Sequence, residues 1–298
     1  MKKKIINIIL ALSAMTGWAQ QKQSKIDYIA FSNIDKYVTI DTATVRAWYA
    51  LNALDIHDEN TYIDWQILEI GRHCNKYYSY FVWESDSLCT VDSRTNRSGR
   101  YSSNLLPRGR NGHGNWNELQ YHVLIAEKGK IRTYNRELLR EYEGYYDEPY
   151  PDQKWTLTQD TATISGYHCQ KATCRFHGRD FEAWFTPEVP VKFGPWKFGG
   201  LPGFIMQVYD EGRQYEFTCV GINSKANRAI TMPDVAFNKT TRTKFYATKY
   251  RCDVDPFAYM MNVNGVNVEV KGPDGQPRTD LTQPRTLDFD YIERDWRQ

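Results

Sequence analysis

The stretch GPWKFGGLPGFI, residues 194–205, restricts the fold more than any other part of the sequence. It places four glycines and two prolines among Trp196, Phe198, Leu201 and Phe204. A regular helix or strand does not tolerate so much glycine and proline. A solvated linker, in turn, would expose these apolar side chains to water. We therefore expect a loop that holds one shape, because leaving its large apolar side chains in water is unfavourable by about 1.5–3 kcal/mol each.

This Gly/Pro loop, residues 186–203, connects a predicted strand that ends near Phe185 to one that begins near Phe204. It is longer than most connections in compact domains. Two interpretations stay open: the loop covers an open end or edge of the sheet, or its aromatic side chains line a groove for an apolar ligand or an envelope protein. The candidate ligand-binding or partner-binding residues are Arg179, Trp184, Phe193, Trp196, Lys197, Phe198 and Leu201.

Short alternating segments separated by glycine turns predict the fold class. Residues 171–185 form a hairpin that turns at His177-Gly178, and residues 204–220 form a second one. Further hairpins are predicted over 121–134 and 77–91, and the spacing of isoleucines predicts one helix over 61–70. The fold is therefore expected to be mostly β: an antiparallel curved sheet or half-barrel with at most a few short helices.

The first nineteen residues have the pattern of a secretory signal peptide, with a basic start, a short apolar run and small residues before a polar segment. We expect cleavage after Ala19, a single secreted domain over 20–298 and no membrane-spanning segment in the remaining chain. The periplasm is the expected location, with outer-membrane association or secretion as the alternatives. Removal of three lysines changes the net charge from +2 to about −1. Such a balance argues against nucleic acid as a partner.

The chain contains six cysteines, all after the signal peptide. An even number in an exported chain favours disulfides. On one extended strand, Cys169 and Cys174 would lie about 16 Å apart and point to opposite sides, so they should pair with distant cysteines. The connectivity stays open. The candidates are Cys74, Cys89, Cys169, Cys174, Cys219 and Cys252.

The sequence contains no catalytic motif that we recognise. It has no Gly-x-Ser-x-Gly, no His-Glu-x-x-His and no phosphate-binding glycine loop. The spacing of Cys169, Cys174 and His177 does not fit a structural zinc site. Carboxylates near the C-terminus, such as Glu293, cannot be told from surface acids by sequence. We therefore predict no catalytic residue, no metal ligand and no cofactor.

The Gly/Pro loop also carries a family resemblance. Residues 194–205 resemble the signature of the GLPGLI family, cell-envelope proteins found mainly in Bacteroidetes, with Phe204 in place of the usual second leucine. Residues 164–173, 178–190 and 68–80 extend the resemblance, which is strongest over 60–222. The resemblance implies an envelope location and genes that often lie near those of TonB-dependent outer-membrane receptors, but no known reaction.

These observations lead to two functional hypotheses. The first is a non-enzymatic binding or accessory protein of the cell envelope, associated with a TonB-dependent transport system, whose partner is an envelope protein or an apolar ligand. The alternative is a periplasmic or secreted hydrolase that acts on peptide or glycan. A polar cleft with perturbed carboxylates or histidines would favour the hydrolase. The sequence alone favours the non-enzymatic protein.

Overall fold

The structure is a computed structural model of the chain. The chain divides into two compact units: Tyr28–Arg242 with Tyr291–Gln298, and Met1–Asp27 with Thr243–Asp290. The residues that the structure describes are 5–7, 33–94, 123–126, 129–135, 144–150, 152–234, 236–255, 258–259, 267–269, 271, 275–277, 283–284, 286–287 and 290–297.

Strands make up most of the described secondary structure. The strands are β1 (Ile5–Asn7), β2 (Tyr37–Leu51), β3 (Asp64–Gly71), β4 (Cys74–Ser79), β5 (Val123–Ala126), β6 (Lys130–Asn135), β7 (Gly144–Pro149), β8 (Thr156–Ile164), β9 (Tyr167–Phe176), β10 (Arg179–Thr186), β11 (Phe204–Asp210), β12 (Glu216–Asn223), β13 (Arg228–Pro233), β14 (Asn238–Lys239) and β15 (Asn267–Glu269). The helices are α1 (Tyr80–Arg94) and α2 (Arg242–Val254), with 3-10 turns at Ile34–Lys36, Glu59–Thr61 and Asp295–Arg297.

The larger unit is built on one sheet. Over the described residues, this sheet has 13 strands in the order β14-β7-β6-β5-β4-β3-β2-β12-β11-β10-β9-β8, and β13 pairs with the first half of β2. All neighbours are antiparallel except β14 and β7. The two ends of this order do not pair with each other, so the sheet is not closed into a barrel. The prediction of a mostly antiparallel β fold is confirmed.

The smaller unit contains β1, which pairs with β15 in parallel, and α2 from its second residue onward. In α2, Phe245, Tyr246 and Lys249 are buried. Lys249 forms an ion pair with Asp253, one helical turn further on, at 3.3 Å. Among the described residues, no helix combines the length and the apolar character needed to cross a membrane.

Three of the four predicted hairpins are confirmed. Strands β9 and β10 pair around His177-Gly178, β11 pairs with β12, and β5 pairs with β6. The first turn has φ values of 46° at His177 and 79° at Gly178. Positive φ at both central residues is what a two-residue turn of type I′ requires. Most turns of this kind begin with Asn, Asp or Gly, so the histidine at this position is unusual.

Two predictions between residues 61 and 91 are wrong. The segment expected to be a helix forms β3, which is buried on both faces, so its apolar residues do not alternate with polar ones. Residues 77–91, which we expected to form a hairpin, instead contain the end of β4 and most of α1. Ser79 precedes this helix, and its Oγ accepts a hydrogen bond from the amide of Val82 at 3.2 Å. Such a side chain caps the start of a helix.

The Gly/Pro loop contacts strands from two distant parts of the sheet. The ring of Phe198 lies 4.8 Å from that of Phe181 on β10. The neighbouring Lys197 donates a hydrogen bond to the hydroxyl of Tyr146 on β7 at 3.0 Å. Seven strands lie between β7 and β10 in the sheet order. The sheet must therefore curve around the loop, which bridges its unclosed opening.

Backbone hydrogen bonds hold the loop in one conformation. Gly194 donates to the carbonyl of Phe198, and Phe198 donates to that of Pro195, both at 3.0 Å. The side chains of Trp196, Phe198 and Leu201 are almost completely buried. Trp196 has a φ of 51°, a strained conformation for a bulky residue that persists only where the surroundings fix it.

The prediction of disulfides is wrong for the cysteines whose side chains the structure describes. These residues form no disulfide bond: Cys74, Cys169, Cys174, Cys219 and Cys252. The side chain of Cys89 lies outside the described part. Cys169 and Cys174 lie on the single strand β9, as expected, and are buried. Burial raises the pKa of the Cys174 and Cys219 thiols to about 12, which keeps these thiols protonated.

Candidate functional site

Six ionisable side chains meet where the Gly/Pro loop bridges the sheet opening. They come from β7, the β9–β10 turn, the Gly/Pro loop, the first residue of α2 and the C-terminal segment, all within the larger unit. The backbone amide of Arg294 donates to the carbonyl of His177 at 2.8 Å, which holds the C-terminal segment beside the turn. We refer to these six residues as the charged cluster: Glu148, His177, Lys197, Arg242, Glu293 and Asp295.

Lys197 lies at the centre of the charged cluster. Its Nζ donates to Oε1 of Glu293 at 2.7 Å, to the hydroxyl of Tyr146 at 3.0 Å and to Oε1 of Glu148. An ammonium group has three donors, and three acceptors surround it here. The side chains of Lys197 and Glu293 are fully buried. The attraction within a buried ion pair is offset by the cost of desolvating both charges, but removing one partner alone is strongly destabilising.

Arg242 fixes the second side of the charged cluster. Its guanidinium donates to Oε2 of Glu293 and to Oδ1 of Asp295. One of its terminal nitrogens also lies 3.0 Å from Nδ1 of His177. Nδ1 also lies 3.4 Å from Oδ2 of Asp295, which can only accept. The shorter contact, with a guanidinium that can only donate, favours Nδ1 as the acceptor, and this tautomer of the neutral imidazole carries its proton on Nε2. Nε2 points toward Oε2 of Glu148, at 3.7 Å.

Burial and charge together set the protonation states. Burial lowers the pKa of His177 from its usual value, with Lys197 and Arg242 acting in the same direction against Glu293 and Glu148. The imidazole is therefore neutral at pH 7. Burial alone would raise the pKa of Glu293, but Lys197, His177 and Arg242 together lower it to about 2. Glu293 thus remains ionised.

The charged cluster has a closed floor and an accessible rim. Lys197 and Glu293 form the floor, with no exposed side-chain area. At the rim, His177 is 12% exposed and Glu148 is 14% exposed, while Arg242 and Asp295 are 23% and 31% exposed. The Glu148 oxygen that Lys197 does not bind and the Nε2–H of His177 thus lie side by side near the surface. This arrangement places a proton acceptor beside a hydrogen-bond donor.

Three residues of the charged cluster also have the composition of a metal site. Glu148, His177 and Glu293 offer ligand atoms that lie within 4.8 Å of one another. The ammonium of Lys197 binds both carboxylates, however, and a divalent cation would have to displace it. In this arrangement the lysine supplies the positive charge between the two carboxylates.

The structure places the sequence-predicted binding residues in three environments. Lys197 belongs to the charged cluster, and Trp196, Phe198 and Leu201 lie in the core around it. Arg179 is not a member of the charged cluster: it is buried, forms an ion pair with Asp210 at 2.6 Å and donates to the carbonyl of Tyr291 at 2.9 Å.

The remaining two predicted residues, Trp184 and Phe193, are half-buried. Trp184 lies on β10 with the ammonium of Lys171 5.9 Å from its ring centre. A ligand-binding role for the predicted residues stays a prediction.

Sequence reasoning missed the other members of the charged cluster as a group. Glu293 was one of several C-terminal acids, and nothing distinguished Glu148, Arg242 or Asp295. One signal was available: His177 occupies the first position of a two-residue turn, where a positive φ disfavours most side chains. Such a strained residue supports a functional hypothesis.

Comparison with known proteins gives one family. Residues 147–246 match the family described as N-glycanase peptide, N-terminal domain. No curated protein matches the chain. Two solved structures of PNGF-II, in space groups P21 and C2, are similar, each with 11% sequence identity, and have TM-scores of 0.45 and 0.47. Each comparison covers 72% of this chain and 34% of the PNGF-II chain, so this chain spans about a third of the length of that protein.

The family match corrects two predictions. Residues 164–173, 178–190 and 194–205, which carry much of the resemblance to the GLPGLI family, lie within the match to the N-glycanase family, so that identification is wrong. The prediction of a non-enzymatic accessory protein of the envelope is therefore wrong as well. The match instead favours the alternative hypothesis, a hydrolase.

Proposed function

We propose that this chain is an exported hydrolase that acts on glycans or glycopeptides. The observation that carries the proposal is the rim of the charged cluster, where Oε2 of Glu148 and Nε2 of His177 lie 3.7 Å apart. The match to a family named for N-glycanase supports it, since residues 147–246 include Glu148, His177, Lys197 and Arg242.

Each part of the charged cluster has a role in this proposal. Hydrolysis requires a group that takes a proton from water and groups that stabilise the negative charge that develops on oxygen. Glu148 is the proton acceptor, because one of its oxygens is not held by Lys197. The neutral His177 donates its Nε2–H to an oxygen of the substrate. Lys197 and Arg242 supply fixed positive charge behind these two groups and require no rearrangement during the reaction.

The test is an assay on a defined N-glycosylated peptide, followed by mass spectrometry. We expect the full chain to convert the glycopeptide. The same peptide prepared without a glycan should remain unchanged. Glu148→Gln and His177→Gln should each lower the rate at least about a hundredfold. The matched control is Glu211→Gln, which alters an exposed acid after β11. Full activity of both cluster variants, or no conversion by the folded wild type, would refute the proposal.

A further inference from the structure

A pocket of about 580 Å³ lies beside the Gly/Pro loop and is distinct from the charged cluster. One wall is formed by the end of the Gly/Pro loop, and the other by the segment that leads from β7 into β8. All lining residues belong to the larger unit. They are Tyr150, Asp152, Gln153, Lys154, Trp155, Leu157, Gly199, Gly200, Leu201 and Pro202.

The two walls are joined by hydrogen bonds. The side-chain amide of Gln153 donates to the carbonyl of Lys197 at 2.7 Å and accepts from the amide of Gly199 at 3.0 Å. The indole Nε1 of Trp155 donates to the carbonyl of Gly199 at 2.8 Å. The pocket is therefore preformed, and the residue that ties its walls together also holds the backbone of Lys197. Pocket and charged cluster share one structural support.

The lining combines an apolar surface with charged groups at the edge. The indole of Trp155 is half-buried, and Leu157 is 49% exposed. Asp152 and Lys154 are exposed and form an ion pair. An aromatic ring packs against the C–H face of a sugar ring, while a carboxylate and an ammonium bind its hydroxyl groups. A lipid tail, by contrast, offers no polar atom that this carboxylate or ammonium could bind.

We propose that this pocket binds a sugar ring of an oligosaccharide, with Trp155 as the stacking surface and Asp152 as an acceptor for its hydroxyl groups. The choice of an oligosaccharide rests in part on the proposed function. The pocket would hold the glycan while the adjoining charged cluster acts on it. Binding in the pocket forms and breaks no covalent bond.

Titration calorimetry with N,N′-diacetylchitobiose as the probe tests this proposal. The measurement uses full-length wild type and the Glu148→Gln variant, so that binding is observed with and without turnover. We expect both to bind the disaccharide. Trp155→Ala and Asp152→Asn should each weaken binding at least tenfold, and Trp155→Tyr should retain most of it. Trp83→Ala and Asp160→Asn, which alter a half-buried tryptophan of α1 and an exposed aspartate outside the pocket, serve as matched controls and should bind as wild type does.

The outcomes separate the two proposals. If the disaccharide binds through Trp155 and Asp152 but no glycopeptide is hydrolysed, the pocket proposal is supported and the proposed function is refuted. If wild type binds no disaccharide, or if both pocket variants bind it normally, the pocket proposal is refuted whatever the hydrolysis assay shows. Equal binding of an unglycosylated peptide to the pocket would also overturn it. Asp152 is exposed, so its substitution keeps the test valid even if Trp155→Ala does not fold.

Discussion

Nζ of Lys197 lies 2.7 Å from Oε1 of Glu293, and neither side chain has any exposed area. This contact joins the Gly/Pro loop to the C-terminal segment, and the second contact of Lys197 joins the loop to Glu148 on β7. One side chain thus connects three segments that lie far apart in sequence. The geometry of the charged cluster depends on it.

Lys197→Met should therefore destabilise the protein strongly. The substitution keeps most of the length of the side chain but removes the ammonium that binds Oε1 of the buried Glu293, which costs about 3–5 kcal/mol although Arg242 still binds Oε2. Chemical denaturation measures the change in the free energy of unfolding. Lys154→Met, which breaks an exposed ion pair with Asp152, is the control and should leave stability unchanged. Adding Glu293→Gln to Lys197→Met should restore part of the loss, and a neutral effect of Lys197→Met alone would contradict the central role of this pair.

Two glycines of the Gly/Pro loop should differ sharply in their tolerance of alanine. A Cβ at Gly203 would lie 2.1 Å from the carbonyl oxygen of Thr186, so backbone would have to move. At Gly200 a Cβ would meet no atom within 4 Å, and only the φ of 83° opposes it. We expect Gly200→Ala to cost about 1–2 kcal/mol and Gly203→Ala to cost clearly more. Thermal unfolding of the two variants compares them, and equal melting temperatures would show that the loop is not closely packed against β10.

Asp64 should make stability depend on pH. Burial raises its pKa to about 7, although Ser79, Gln66 and the amide of Trp65 donate hydrogen bonds to it. The folded state then holds a proton that the unfolded state releases near the ordinary value of 3.8. This contribution to stability is complete below that value and is lost as the pH rises toward 7, by about 1.4 kcal/mol per pH unit.

Asp64→Asn removes this titration, so wild type should lose more stability than the variant between pH 4 and pH 7. Urea unfolding at several pH values gives the two slopes. Parallel slopes would mean that Asp64 is not desolvated as the structure shows.

The contribution of His177 to the pH dependence of stability should have the opposite sign to that of Asp64. Its pKa in the folded state lies below the usual 6.5, mainly because of burial. As the pH falls through that value, the unfolded chain takes up a proton more readily than the folded chain, so the folded state loses stability. His177→Gln should flatten this part of the pH profile. The NMR titration of the imidazole provides a direct check, and a pKa above 6.5 would contradict the neutral form on which the proposed role of His177 depends.

The predictable features of the fold are those that local sequence encodes. The turn at His177-Gly178 and the alternation of Phe181, Ala183 and Phe185 after it identified the β9–β10 hairpin. The density of glycine, proline and aromatic residues over 194–205 identified a loop of fixed shape. Each of these signals depends on residues close together in the chain.

The features that sequence did not reveal depend on burial and long-range contacts. Strand β3 is covered on both faces, which removes the alternation by which strands are recognised. The number of cysteines does not show whether buried thiols lie close enough to form disulfides. The charged cluster joins Glu148 to Glu293, which are 145 positions apart, through the curvature of a sheet whose order no local pattern specifies.

Hydrolysis of an N-glycosylated peptide in water enriched in ¹⁸O tests the central claim most directly. Hydrolysis places an oxygen from water in a product, so the account predicts ¹⁸O in the peptide, in the released glycan or in both, as resolved by mass spectrometry. Glu148→Gln should form labelled product at least about a hundredfold more slowly while it retains the fold of wild type. A folded wild-type protein that releases no labelled product, or a Glu148→Gln variant that releases as much as wild type, would contradict the account.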